Sequence, residues 1–300
     1  EVGKYLYLDH YSCFQMRHLL ILITIVAATA AVQSCGQVKI NPVSMSDQLL
    51  RANRTGNAAI GGTQAKAGSW PWTVSICKQD WFGNCNFEAN GVIIGDRYVL
   101  TSESALGSKA TDYRVRAGST NHKSGGQLYS VEKNWILKDE DNGKHHHDMV
   151  LMVLASPITF NDYVQPVCVP GDDVDLTGQT GWFTSWGHTS TSWTGLTEDY
   201  LHQAKMTVGD GGVCASRNKN YDRESEICVG GAGNPFTTTC DNDMGGPLVQ
   251  KRADGSWYLL GISNEKSYAG TGCAYATIFA RASYYCSSLI ASESNVKCIY

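Results

Sequence analysis

From Ile60 to the carboxyl end the chain never keeps one pattern for long, and this constrains its fold more than any other feature. Short apolar runs follow one another at close spacing: "WTVSI", "NGVIIG", "YVLTS", "YRVRAG", "DMVLMVL", "WYLLGIS" and "TIFARA". Gly, Asn, Asp and Ser break them. Runs of this length, rich in β-branched and aromatic residues and bounded by turn formers, read as strands. A 3.6-residue period holds in few places. The best is "RASYYCSSLIASES", where Tyr284, Leu289 and Ile290 share one face of a terminal helix. The pattern predicts an all-β barrel or sandwich with a helix at the end.

The 300 residues, 42% hydrophobic and 17% charged, are enough for a large core in one or two domains. A net charge of −4 gives no basic surface for nucleic acid or an anionic membrane. No internal repeat or long charge run interrupts the chain.

The amino-terminal region reads as leader rather than fold. Residues 1–15 hold no Met and no structural pattern, and are read as translated untranslated message. Met16 opens a basic start at Arg17 and His18, an apolar run from Leu19 to Ala31, and then small residues. Residues 16–34 therefore read as a secretory signal peptide, since a membrane span needs about 20 apolar residues. A short uncleaved anchor is the rival reading. Residues 35–58 are polar and read as a pro-segment or linker, with a glycosylation sequon at Asn53. The folded domain is expected over 59–300.

Cys13 precedes Met16, which leaves ten cysteines for the secreted chain. An even number in an oxidising compartment reads as five disulfides. Metal binding is the alternative, weakened by the absence of any C-x-x-C pair. No cofactor and no metal are expected.

The motifs then resemble a known family. "AIGGTQAKAGSWPWTVSI", "DRYVLTSESA", "HDMVLMVLASPI", "VQPVCVP", "FTSWGHT", "EICVGG", "DMGGPLV" and "YLLGIS" are similar, in order, to the segments of trypsin/chymotrypsin-like serine proteases. The resemblance covers about residues 59–290. It implies two packed antiparallel β-barrels, about 59–175 and 176–300, with a cleft between them and a carboxyl-terminal helix.

That family's chemistry needs a Ser nucleophile, a His base and an orienting Asp. Carried over by position, Asp148 keeps the carboxylate, while Ser104 stands at the His position and Met244 at the Ser position. A thioether is a poor nucleophile toward an amide, and a serine hydroxyl is no base near neutral pH. Loss of the triad costs roughly a million-fold in rate, about 8 kcal/mol of barrier. His145, His146 and His147 precede Asp148 and read as a His-rich surface loop, the rival readings being a proton relay or a metal site.

The resemblance also marks supporting positions. Asn242 and Met244 occupy the oxyanion-hole positions, and Asn242 replaces a Gly whose lack of a Cβ leaves room for the carbonyl. Thr238, Ser263, Asn264, Glu265 and Thr277 occupy specificity-pocket positions, so a narrowed or filled pocket is expected. Ala58 and Ala59 offer no basic residue for the family's activating cut, although Asp243, which would receive the new amino terminus, is present. Two family disulfides are replaced at both ends, by Ala89 and Ala105 and by Gly181 and Gln250. The retained pairs would be Cys35–Cys168, Cys214–Cys228 and Cys240–Cys273, leaving Cys77–Cys85 and Cys286–Cys298 to pair locally.

These residues imply a secreted protease homologue without the catalytic His and Ser. It would act as a non-catalytic cofactor, decoy or inhibitor in an extracellular cascade, with a protein partner such as an active protease or its substrate. Nucleic acid and membranes are not expected partners. The alternatives are an active serine-type endopeptidase with an unrecognised catalytic group, and a structural secreted protein.

Overall fold

Each of the seven apolar runs falls on a strand of the computed structural model, which describes residues 34–43, 62–136, 148–188, 197–231, 239–240, 242–264 and 276–300. After a two-residue β1 (Thr63–Gln64) come β2 (Thr73–Gln79), β3 (Cys85–Gly95), β4 (Tyr98–Thr101), β5 (Tyr113–Ala117), β6 (Gln127–Ile136) and β7 (Val150–Leu154). The last six close into an antiparallel barrel in the order β2-β3-β4-β7-β6-β5. The second group is β8 (Thr180–Ser185), β9 (His202–Val208), β10 (Glu226–Gly231), β11 (Pro247–Lys251), β12 (Trp257–Ser263) and β13 (Ala276–Arg281). It closes in the order β8-β9-β10-β13-β12-β11, with β1 added along β9. The expected all-β, two-barrel fold is therefore observed.

Closure removes the strand edges, and alternating side chains fill the interiors. Val74, Ile76, Val92, Val99, Leu100, Val115, Leu151 and Met152 are fully buried in barrel one. In barrel two, Phe183 meets Phe279 edge-on at 5.6 Å over Leu248 and Leu260. Tryptophans hold the seam between the barrels. Trp70 packs at 5.1 Å on Trp257 of β12 and at 6.1 Å on Trp72, and its indole N–H donates to Gln203 of β9 at 2.7 Å.

The chain before the barrels is pinned to them. Cys35 is disulfide-bonded to Cys168, Gly36 N–H donates to Pro166 O at 2.8 Å, and Trp257 N–H donates to Gly36 O at 3.0 Å. Gly36 has φ +67°, and a Cβ there would lie 2.4 Å from the Trp257 carbonyl, so no larger residue fits. Cys77–Cys85, Cys214–Cys228 and Cys286–Cys298 are also formed. Cys240 is disulfide-bonded, and Cys273 lies outside the described residues.

Two helical features differ from expectation. A short helix, α1 (Gly212–Arg217), carries Cys214 and had no periodic signal. The terminal helix runs as α2 (Ala282–Tyr285), a π-turn over Cys286–Ile290 and α3 (Ala291–Glu293). The wider i→i+5 turn shifts the phase of the buried face. Tyr285 is buried beside Leu289 and Ile290, and Tyr284, expected on that face, is only half-buried.

Candidate functional site

The site forms where strand ends from the two barrels meet. Thr101 of β4 pairs with Val150 of β7, so the residues just beyond them, Ser102 to Ser104 and Asp148, lie side by side. Met244 reaches them from the loop that precedes β11. The structure thus brings together the three positions Ser104, Asp148 and Met244.

Asp148 is the centre of this cluster. Ser102 Oγ lies 2.8 Å from both carboxylate oxygens, Ser104 Oγ lies 2.8 Å from Oδ2, and the Ser104 amide donates to Oδ1 at 2.7 Å. The two hydroxyl oxygens are 2.8 Å apart. Each hydroxyl carries a single proton, and a carboxylate is the strongest acceptor within reach. Both protons therefore point at Asp148. Ser104 Oγ also lies 3.8 Å from Met244 Sδ, a weak contact to a half-buried thioether.

The loop carrying Met244 is held from three sides. From β3, the fully buried Asn90 gives its side-chain Nδ2 to Asn242 O at 2.9 Å and Met244 O at 3.0 Å, while its amide donates to Met244 O at 2.9 Å. From β12, Ser263 Oγ donates to Asp243 O at 2.6 Å, the Gly245 amide donates to Ser263 O at 2.9 Å, and the Ser263 amide donates to Gly246 O at 2.9 Å. From β8, the Ser185 hydroxyl donates to the Asp243 carboxylate, whose other oxygen takes the Cys240 amide at 2.7 Å. Asp243 is 1% exposed, so this carboxylate is anchored inside the protein. Gly245 has φ +77°, and a Cβ there would sit 2.1 Å from Asn90 O. This is the close approach that the Gly-Gly pair permits.

Asn242 sits at φ +66°, the one non-glycine residue among those described with a left-handed backbone. Asn tolerates that region better than other side chains. Its Nδ2 lies 3.0 Å from His188 Nε2 and 3.2 Å from Thr197 Oγ1, so the side chain is turned across the rim of the cleft.

The expected pocket residues are only partly described. Ser263, Asn264 and Thr277 are buried. Asn264 is tied to β13 through its amide to Ile278 O at 3.1 Å and its Oδ1 to the Ala280 amide at 3.3 Å. The Thr277 hydroxyl bonds that of Thr239 inside the protein. Thr238 and Glu265 lie outside the described residues, as do Asn53, Ala58, Ala59 and His145 to His147. Among the described residues no group of His, Cys, Asp and Glu could hold a metal ion.

Sequence reading missed Asn90, Ser102 and Ser185. Ser102 carries a local signal, since it stands two residues from Ser104 on the same strand end. Asn90 and Ser185 carry none, because their partners lie 152 and 58 residues away.

Residues 59–288 match the family model described as Trypsin. A relative, "Serine protease filzig" of Drosophila melanogaster, is 27% identical over 216 residues, covering 67% of this chain and 12% of that protein. The chain thus spans a small part of that relative's length. With two closed barrels and a family model matched over most of its length, this chain belongs to the trypsin family.

Proposed function

We propose that this chain is a secreted member of the trypsin family that cleaves no peptide bond and acts by binding another protein, such as an active protease or a substrate in an extracellular cascade. The Asp148 cluster carries this reading. Hydrolysis on this frame needs a nucleophile with a removable proton and a base to take it. Ser102 and Ser104 both donate into Asp148, and neither hydroxyl accepts protons near pH 7. The atom facing Ser104 is a thioether sulfur with no proton to lose.

Four disulfides and a ninth bonded cysteine, Cys240, support an oxidising compartment, as does the apolar run after Met16. Among the described residues no helix is long and apolar enough to cross a membrane. Support for binding comes from the β2–β3 hairpin, where Trp81 is 97% and Phe82 88% exposed. The Cys77–Cys85 disulfide closes this loop. Asp80 Oδ1 stiffens it by accepting the Phe82 and Asn84 amides at 2.9 and 2.8 Å. Rigid exposed aromatics are the side chains that anchor protein interfaces.

The purified chain should leave tryptic, chymotryptic and elastase-type peptide substrates uncut. Turnover that survives purification and disappears in Asp148→Asn would overturn the reading. The wild-type chain should co-purify with a protease from its native fluid, and Trp81→Ser with Phe82→Ser should lose it without changing the fold.

A further inference from the structure

We infer that Asn90 is the positioning residue of the cleft, a buried bracket on barrel one that sets the conformation of the 242–246 loop on barrel two. The inference holds whether or not the cleft cleaves peptides, because it concerns the shape of the loop and not its chemistry.

The bonding around Asn90 leaves one assignment. Its side chain faces two carbonyl oxygens, Asn242 O at 2.9 Å and Met244 O at 3.0 Å, and one amide N–H, that of Trp186 at 3.0 Å. Carbonyls accept and amides donate, so Nδ2 must face residues 242 and 244, and Oδ1 must face 186. A primary amide is the group with two donor protons and an acceptor at this spacing. A carboxylate would set an oxygen against two oxygens. An aliphatic side chain would leave Asn242 O and the Trp186 N–H without these partners, and Met244 O with only the Asn90 backbone amide.

One side chain therefore spans three segments. It sits on β3, it fixes both carbonyls that flank Asp243, and it fixes the chain leaving β8. The backbone of Asn90 is held in turn, since its carbonyl accepts Thr101 Oγ1 at 2.7 Å and its amide bonds Met244 O at 2.9 Å. The carbonyls of 242, 243 and 244 are all occupied by donors from other strands, Asn90 and Ser263. With its own carbonyl fixed by Asn90, the left-handed Asn242 keeps its side chain toward His188 and Thr197. Asn90 thus acts on the surface that a ligand in the cleft would meet, from a place where no ligand can touch it.

Hydrogen exchange in the full-length chain tests this. The reporters are the amides of Asp243, Gly245 and Gly246, which bond Cys240 O, Ser263 O and Asp243 O. Asn90→Asp keeps the volume and the acceptor for Trp186 but removes both donors. Its three reporter amides should exchange at least about tenfold faster than wild type at pH 8, with the β4 and β7 amides unchanged. The protonated acid regains one donor, so protection in Asn90→Asp should partly return at pH 5. In Asn90→Ala the loosening should be similar and should not reverse on acidification. The titratable groups on the segments held are Asp243 and His188, and the Ala variant carries both, so it controls for their own protonation. Two results would overturn the inference. One is an Asp variant protected like wild type at pH 8. The other is an Asp variant that loosens no more at the reporters than in the barrel strands, with no recovery at pH 5. If Asn90→Asp fails to fold, Asn90→Ala still decides. Reporters at wild-type protection in that variant would contradict a positioning role, and selective loosening would support it.

Discussion

Two hydrogen-bond networks meet in the cleft, and they are built on opposite principles. The Asp148 network runs from the buried Ser102 out to the surface. It gathers two serine side chains and one amide around a single carboxylate, and Ser104 is exposed to solvent. The Asn90 network is centred on a fully buried side chain, whose amide answers two carbonyls and one N–H of the opposite barrel. The first network contains what chemistry would need to use. The second contains what the frame needs to keep its shape. A change at the surface network alters what the cleft can do at small cost to folding, because water can replace a lost partner. A change at the buried one strands polar groups where water cannot reach them.

Stability measurements should separate the networks most widely. Asn90→Ala takes the donor from Asn242 O and the acceptor from the buried Trp186 amide, and should cost about 3 kcal/mol in denaturant unfolding. Ser104→Ala should cost less than about 1 kcal/mol, because Asp148 keeps Ser102 and the residue 104 amide. Equal costs at the two sites would remove the distinction between them.

Acid should expose a third, smaller difference between buried and exposed groups. Burial holds the His122 imidazole below its ordinary value, with Lys123 adding to the effect, and burial does the same to His202. The unfolded chain then takes up these protons first. Stability from these two groups is full above about pH 6.5 and falls as pH drops through that value toward the folded ones. His122→Gln should flatten part of that fall between pH 6.5 and pH 5. A fall of unchanged depth in the variant would show that His122 does not contribute.

How much of this was legible in the sequence follows the same division. Strands whose inward residues are Val, Ile and Leu announced themselves, as in "DMVLMVL". Strand β6 did not, because only Tyr129 and Val131 turn inward in its first half while Glu132 and Lys133 face solvent. Strand β9 did not either, since it buries His202 and Gln203, and Gln203 answers the Trp70 indole across the seam. Ser104, Asp148 and Met244 are reached through resemblance, residue by residue, whereas Ser102 of the same cluster is not. Asn90 was passed over inside the apolar run "NGVIIG", because a buried amide is informative only once its distant partners are known. The terminal helix was placed correctly, but its face was misread by one residue. A period fitted to an α-helix cannot anticipate a π-turn.

The missing disulfide positions behave alike. Ala89 and Ala105 are buried as apolar core. Gln250 meets β8 with its side-chain amide, donating to Thr180 O at 3.1 Å. At both places noncovalent packing occupies the position, and neither strands a thiol.

The central claim is that the frame of a protease is present here without its chemistry, and intact-mass spectrometry after exposure to a fluorophosphonate probe tests it most directly. Active trypsin in a parallel vessel confirms that the probe is competent. The wild-type chain should gain no mass, because Met244 presents no hydroxyl and Ser104 donates its proton to Asp148. Stoichiometric addition of one probe molecule, mapped to Ser102, Ser104 or another residue of the cleft, would contradict the account and establish an activated nucleophile there.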